Sequence, residues 1–241
     1  MVCTKFYDLL VQSNLSGGEN TIEQLVEFAK KLGYSGIAIC DNYQGLDKLN
    51  ELKNKVSEIK DLEIYCGVNI IAKDVNEMKE IVNKVREKVD IVVVSGGDYS
   101  INRSACDDSR IDILMHPELE RPDSGLDEPS LEAATQNNVA IGISFREILY
   151  NFRKPRAYIL NHISRNLMLC NHFRTPIVIC SCAQSIWGMR NPREFVSTLS
   201  ALGLDIGKAF ASVTSIPQAI VEGNKKTLEG EKITEGVEVV E

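Results

Sequence analysis

DIVVVSGGDYSINRSACDDSRIDILMHPELERPDSGLD, residues 90–127, contains two apolar runs of strand length, at 91–94 and 111–115. Ser95-Gly96-Gly97 follows the first run and His116-Pro117-Glu118 the second, so each strand stops at once in polar or turn-forming residues. If the two runs are parallel strands joined by a helix over 99–107, then Gly96, Gly97, Asn102, Arg103, His116, Arg121 and Asp123 gather at one end of a sheet. That is the end at which α/β folds build their sites.

Outward from this pair the same alternation continues. Toward the N-terminus, apolar runs at 6–11, 36–40 and 62–71 read as strands. Asn20 or Thr21 caps an amphipathic helix that Gly33 ends. Two Lys-rich helices follow, one with Leu46, Leu49, Leu52, Val56 and Ile59 inward, the other over 77–88. Toward the C-terminus come a helix over 129–137, a strand over 139–143, a helix over 156–173 and a strand over 176–180. Repeated βα units with right-handed crossovers predict an α/β fold, a TIM-like barrel with seven clear strands. The eighth strand, near 204–213, is expected to be irregular or missing, because the pattern after Pro192 turns helical. One barrel domain is expected over 1–226, with an acidic tail over 227–241.

A chain of 241 residues with 44% hydrophobic content can bury one large core. No apolar run approaches the roughly 18 residues of a membrane span, and the first residues lack the apolar stretch of a signal peptide. A cytoplasmic protein with no membrane partner is expected. Seven cysteines form no CxxC pair, and Cys40, Cys66, Cys180 and Cys182 lie in or beside apolar runs. Reduced, mostly buried thiols follow.

The net charge of −7 argues at face value against an anionic partner, but its distribution argues for one. From Arg146 to Arg193 seven arginines and one lysine face the single acid Glu147, a local +7 that leaves −14 for the remainder. Ten of the eleven arginines lie between Arg103 and Arg193, while fifteen of the sixteen lysines lie outside that span. The planar fork of arginine suits bidentate phosphate contacts, whereas lysine is the ordinary solubilising cation of a helix face. The competing reading is that these arginines form surface ion pairs with scattered carboxylates.

Signals for chemistry by the chain alone are weak. A catalytic zinc or multi-metal site needs several histidines and carboxylates at strand ends, and only His116, His162 and His172 exist. His162 and His172 stand ten residues apart on one helix, too far to share an ion. Asp8, Asp41 and Asp112 lie beside strands, where acids bind metals or cap turns. Ser124 and Ser144 have no arranged base. Gly96-Gly97 ahead of a helix could present N–H groups to a phosphate, although a plain tight turn explains the same pair. No catalytic residue, metal ligand or cofactor is assigned.

The runs VVVSGG (92–97), INRSA (101–105), DIL (112–114), HPEL (116–119), RPDSGLD (121–127), FREIL (145–149) and RNL (165–167) resemble the archaeal ribonuclease P protein component 3 family. These are the thirty-kilodalton subunits shared with eukaryotes. The resemblance extends from Phe6-Tyr7-Asp8-Leu9 to Ala183-Gln184-Ser185-Ile186-Trp187. It implies a barrel related to the polymerase-and-histidinol-phosphatase (PHP) metal-dependent phosphoesterases, but one that has lost their metal site. Those relatives carry a His-x-His on the first strand, where this chain reads Asp8-Leu9-Leu10.

The resemblance also implies a protein subunit of ribonuclease P, the endonuclease that trims the 5′ leader of precursor tRNA. Its partners would be the catalytic RNA, a small ferredoxin-like subunit and, indirectly, precursor tRNA. RNA contacts are expected at Arg103, His116, Arg121, Arg146, Arg165, Arg174 and Arg190, each in a family-like run or in the +7 segment. They are expected to be mainly phosphate contacts, because the segment lacks dense aromatic interleaving. The alternatives are a free-standing phosphoesterase and a TIM-barrel enzyme acting on a phosphorylated small molecule.

Overall fold

The computed structural model describes residues 4–228, together with the short strands Lys232–Thr234 and Val237–Glu238. Seven strands run parallel in sequence order: β1 (Tyr7–Val11), β2 (Gly36–Asn42), β3 (Glu63–Ile70), β4 (Ile91–Ser95), β5 (Ile113–Met115), β6 (Ala140–Ser144) and β7 (Ile177–Cys180). Helices α1 (Ile22–Leu32), α2 (Leu46–Glu58), α3 (Val75–Val85), α4 (Tyr99–Cys106) and α5 (Glu128–Gln136) connect the first six strands. A short helix α6 (Phe145–Tyr150) leaves β6 directly and precedes the long α7 (Arg153–Phe173). After β7 come α8 (Pro192–Ala201), α9 (Ile206–Ala211) and α10 (Ser215–Leu228). The seven strands stand where the sequence put them; α6 is an element the apolar pattern did not mark.

The continuous apolar runs arise because each strand is buried on both faces. In β4, Val92 and Val94 pack against the helices, while Ile91 and Val93 point into the barrel. Ala38, Cys40, Ile113, Met115, Ala140, Val178 and Cys180 fill the interior with them. The six described cysteines are all buried and unpaired, and Cys3 lies outside the described residues. Burial pushes the Cys66 and Cys106 thiols up to about 12, which keeps them protonated.

The barrel does not seal. Between β1 and β7 there is one parallel bridge, Val11 to Ala183, in which the Gln12 N–H donates to the Ala183 carbonyl at 2.9 Å. In the place of an eighth strand stands α9, whose exit lends single carbonyls to both edges. The Tyr7 N–H donates to Val213 O at 2.9 Å and the Ile179 N–H to Ser212 O at 3.4 Å. Helix α10 plugs the end where the strands begin, with Ile216, Ile220 and Val221 packed on the interior cluster. There the Asn224 side-chain amide donates to Asp90 O and to Asp112 Oδ1, both at 2.8 Å.

Most of the acidic tail expected from residue 227 lies outside the described residues. Within them, Thr227 and Leu228 complete α10, and the two short terminal strands pair antiparallel, Lys232 opposite Glu238. Among the described residues no helix is long and apolar enough to cross a membrane.

Local signals fix the helix ends. Thr21 caps α1 in a capping box: its hydroxyl accepts from the Gln24 N–H at 3.4 Å, and Gln24 Oε1 accepts from the Thr21 N–H at 3.1 Å. Gly33 ends the helix at φ 88°. Thr21→Ala is expected to cost about 1 kcal/mol, a fall of roughly 2–4 °C in a thermal melt of the full chain. No shift would mean that water replaces the cap without loss.

Candidate nucleic-acid interface

The two motifs of the 90–127 stretch meet above β4 and β5 and lock one another. Asn102, 1% exposed on α4, makes three bonds at once. Its Oδ1 accepts from the Gly97 N–H at 3.1 Å, and its amide donates to Pro117 O and to Gly125 O, both at 2.9 Å. Arg121 crosses the same junction, donating to Gly97 O at 3.1 Å and pairing with Asp123 at 2.7 Å. Gly125, at φ 74°, admits no side chain, because a Cβ there would stand 2.0 Å from Pro117 O. The Gly96 N–H donates to Met115 O at 2.9 Å, so both N–H groups of the Gly96-Gly97 pair are engaged inside the protein. They brace the loop and present no donor to an incoming phosphate. The sequence left a plain tight turn and a phosphate cradle both open for this pair, and these bonds fit the tight turn.

Across the mouth of the barrel the strand ends carry amides. Gln184 Nε2 donates to Gln12 Oε1 at 3.0 Å, and Gln12 Nε2 donates to Asn42 Oδ1 at 2.7 Å. Asn69 Nδ2 donates to the same Asn42 oxygen at 2.9 Å, and the Ser95 hydroxyl donates to Asn69 Oδ1 at 3.0 Å. Asp41 is engaged beside this chain by the Ser13 N–H at 2.7 Å and the Ser13 hydroxyl at 2.6 Å. Asp8 accepts from the Ser181 N–H at 3.1 Å and thereby helps to hold the β1–β7 seam. Asp112 stands at the opposite end of the barrel, paired with Arg86 at 2.7 Å. The three aspartates therefore never share a site. Among the described residues no group of three His, Cys, Asp or Glu side chains is placed to hold a metal ion.

His116 follows β5 at φ 37°, its Nδ1 shut away from solvent and without a hydrogen-bond partner. Burial pulls its pKa down to about 4, which leaves the ring uncharged at neutral pH. It is a poor phosphate ligand, and it belongs to the barrel mouth. Nearby Glu118 is 4% exposed, and its Oε1 has no partner. Burial raises its pKa to about 7. Its folded pKa thus lies above its unfolded value, so the folded state holds the proton more tightly, and stability is lost as pH rises from about 4.5 through 7. His116 acts in the opposite sense, adding stability as pH rises from about 4 to 6.5. Glu118→Gln removes only the first effect. The difference in unfolding free energy between variant and wild type is expected to grow by roughly 2–4 kcal/mol in the variant's favour from pH 4.5 to pH 8. A pH-independent difference in urea midpoints would contradict the buried-acid assignment.

The arginines divide by height. Arg121, Arg146 and Arg190 lie at the mouth, in the segments that leave β5, β6 and β7. Arg103 on α4 and Arg165 on α7 lie on the outer wall; Arg103 lines an open groove with Tyr99, Ser104 and Pro129. Arg174 caps the C-terminus of α7 at φ 60°, at the opposite end of the barrel from the mouth. The fold therefore does not bring Arg174 to the others. Among the described residues Arg103, Arg146, Arg165 and Arg174 have no carboxylate within ion-pair distance, whereas Arg121 pairs with Asp123 and Arg190 approaches Glu194 at 3.8 Å. The ion-pair alternative thus holds for two of these six.

Sequence reasoning passed over the amide chain, because Gln12, Asn42 and Asn69 look like ordinary turn residues at strand ends. It also passed over four exposed rings in the basic segment, Tyr150, Phe152, Tyr158 and Trp187, which are far apart in the chain.

A seven-stranded parallel barrel with an open seam, a chain of amides across its mouth and an arginine-bearing rim defines a TIM-like α/β barrel. The chain matches the family model described as RNase P subunit p30 over residues 5–227 and belongs to that family. It is 32% identical over 237 residues to ribonuclease P protein component 3 of Methanosarcina mazei, covering 98% of this chain and 96% of that one. The corresponding protein of Methanothermobacter thermautotrophicus is 32% identical over 244 residues, covering 99% and 97%. A chain in the cryo-EM structure of archaeal ribonuclease P with mature tRNA superimposes with a TM-score of 0.80 at 26% identity, over 98% of both chains. Histidinol phosphate phosphatase from Lactococcus lactis, at 14% identity and a TM-score of 0.58, shares the fold.

Proposed function

We propose that the chain is a protein subunit of ribonuclease P, the ribonucleoprotein that removes the 5′ leader of precursor tRNA. It binds and supports the catalytic RNA in the cytoplasm, beside a small ferredoxin-like subunit. The observation that carries this reading is the family match over residues 5–227, a span that takes in all seven barrel strands. The rim and wall arginines without carboxylate partners fit it, because arginine held clear of internal acids is available to phosphate. The chain contributes binding and leaves the chemistry to the RNA.

Tagged full-length protein drawn from its own cells is expected to bring down the catalytic RNA and to cleave precursor tRNA. The recombinant chain without RNA is expected to hydrolyse neither precursor tRNA nor a phosphomonoester, since among the described residues no cluster of His, Cys, Asp or Glu is placed to hold a metal ion that would activate water. Metal-dependent hydrolysis by the purified chain, abolished by Asp8→Ala, would instead favour a free-standing phosphoesterase.

A further inference from the structure

We propose that the face formed by α6, the start of α7 and the loop after β7 is a stacking platform for unpaired nucleobases of an RNA. The proposal rests on the ribonuclease P reading and adds what part of the RNA this face takes. Four large rings stand out of the protein here: Trp187 is 73% exposed, Phe152 68%, Tyr158 64% and Tyr150 54%. Rings this size are normally covered, and an exposed group of them marks a binding surface.

The fold makes neighbours of residues that the sequence separates. Helix α6 sits against the end of β7, where the Arg146 N–H donates to Ser181 O at 3.1 Å. The turn that carries Trp187 lies against the last residue of α6, since a side chain at Gly188 would come within 3.8 Å of the Tyr150 hydroxyl. Phe152 follows two residues after Tyr150.

Arginines are fixed among these rings. The Arg156 guanidinium lies 5.1 Å from the centre of the Phe152 ring and is held there by the Asn151 and Leu149 carbonyls. Arg190 donates to Trp187 O and Met189 O, both at 2.7 Å, and its guanidinium lies 6.0 Å from the Phe145 ring. Arg146, Arg153 and Lys154 add charge with no carboxylate in ion-pair range among the described residues. The Glu147 carboxylate accepts from Asn151 at 3.3 Å.

Charge selects the occupant. On this face Arg146, Arg153, Lys154, Arg156 and Arg190 stand against Glu147 and Glu194, an excess of cations that suits a polyanion better than a protein surface of mixed charge. The rings select the strandedness. A duplex hides its bases' faces and could use only the cations, whereas unpaired nucleotides offer a π-face to each ring and a phosphate to each neighbouring arginine.

Trp187 is the only tryptophan of the chain, so its emission reports on this face alone. The probes for the full chain are a single-stranded RNA of about twelve nucleotides, an abasic strand with the same phosphates and a duplex of the same length. Quenching of Trp187 by the single strand is expected, with little or none from the other two. Trp187→Ala and Phe152→Ala, read by anisotropy of labelled single strand, should each weaken binding by roughly 5- to 100-fold. Neither should change the salt dependence, and neither exposed ring supports the core. Met168→Ala, another exposed apolar change, should have no effect.

Equal affinity for the abasic strand, or RNA binding of unchanged strength in both ring variants, would overturn the platform while leaving the subunit reading intact. A Trp187 response to a protein subunit but not to RNA would overturn it in favour of a protein interface. Failure of the chain to associate with any RNA, free or in the assembled particle, would remove both readings together.

Discussion

Replacing Arg103, Arg146, Arg165 and Arg190 together by glutamine is expected to flatten the salt dependence of binding to the catalytic RNA. Each neutralised phosphate contributes about 0.7–0.9 to the slope of log affinity against log salt, so four lost contacts should make it shallower by about three. At low salt the affinity should fall by roughly two orders of magnitude, alike across RNA sequences, because phosphate contacts carry no base information.

Arg121 is left out of that set because its guanidinium ties the turn after β4 to the turn after β5 through Gly97 O, so that its loss would mix folding with binding, whereas Arg190 braces only carbonyls of its own turn. Arg174→Gln alone measures whether the RNA reaches the far end of the barrel. The control is on the Lys-rich helices, where Lys48 and Lys55 pair with Glu51 and Lys84 pairs with Glu80. Neutralising these lysines should leave the slope unchanged. A reduced slope for the lysine set, with none for the arginine set, would place the RNA on the opposite flank.

The fold was legible because a parallel barrel buries both faces of each strand, which turns 91–94 and 113–115 into uninterrupted apolar runs. Helix ends were legible where a side chain does the capping, as at Thr21, or where a left-handed residue ends the helix, as at Gly33. The missing eighth strand was legible as a change of period after Pro192. Helix α6 was not, since six residues are too few to show a helical repeat.

The site was legible only in part. Charge segregation marks the arginines by count, but it cannot say that α7 carries Arg174 down to the far end while Arg146 and Arg190 stay at the mouth. His116 looked functional from its place after β5; nothing in its neighbours announces that its Nδ1 is shut off from water and that the ring is held uncharged. The rings at 150, 152 and 158 are exposed within a short stretch, and the fold brings the turn of Trp187 beside Tyr150, so counting aromatics along the segment understated them.

Asn102→Ala is expected to be the most damaging single change in the 90–127 stretch, although Asn102 touches neither the barrel interior nor any exposed arginine face. Three loops depend on it: the turn after β4 through the Gly97 N–H, the turn after β5 through Pro117 O, and the approach to α5 through Gly125 O. Alanine leaves one part-buried donor and two buried acceptors without partners. Each such group costs about 1–3 kcal/mol, and partial relaxation of the loops should hold the sum to roughly 3–5 kcal/mol.

Asn102→Asp tests the same geometry by charge. Its carboxylate can still accept from Gly97, but its second oxygen faces two carbonyls, so at neutral pH the loss should equal or exceed that of alanine. Lowering the pH toward 4 protonates that oxygen and restores a donor to one carbonyl, so the aspartate variant should regain stability there while the alanine variant does not. Urea midpoints of the full chain at pH 7 and pH 4.5 separate the two. Midpoints within about 0.5 kcal/mol of wild type for both variants would show that the loops hold without the latch.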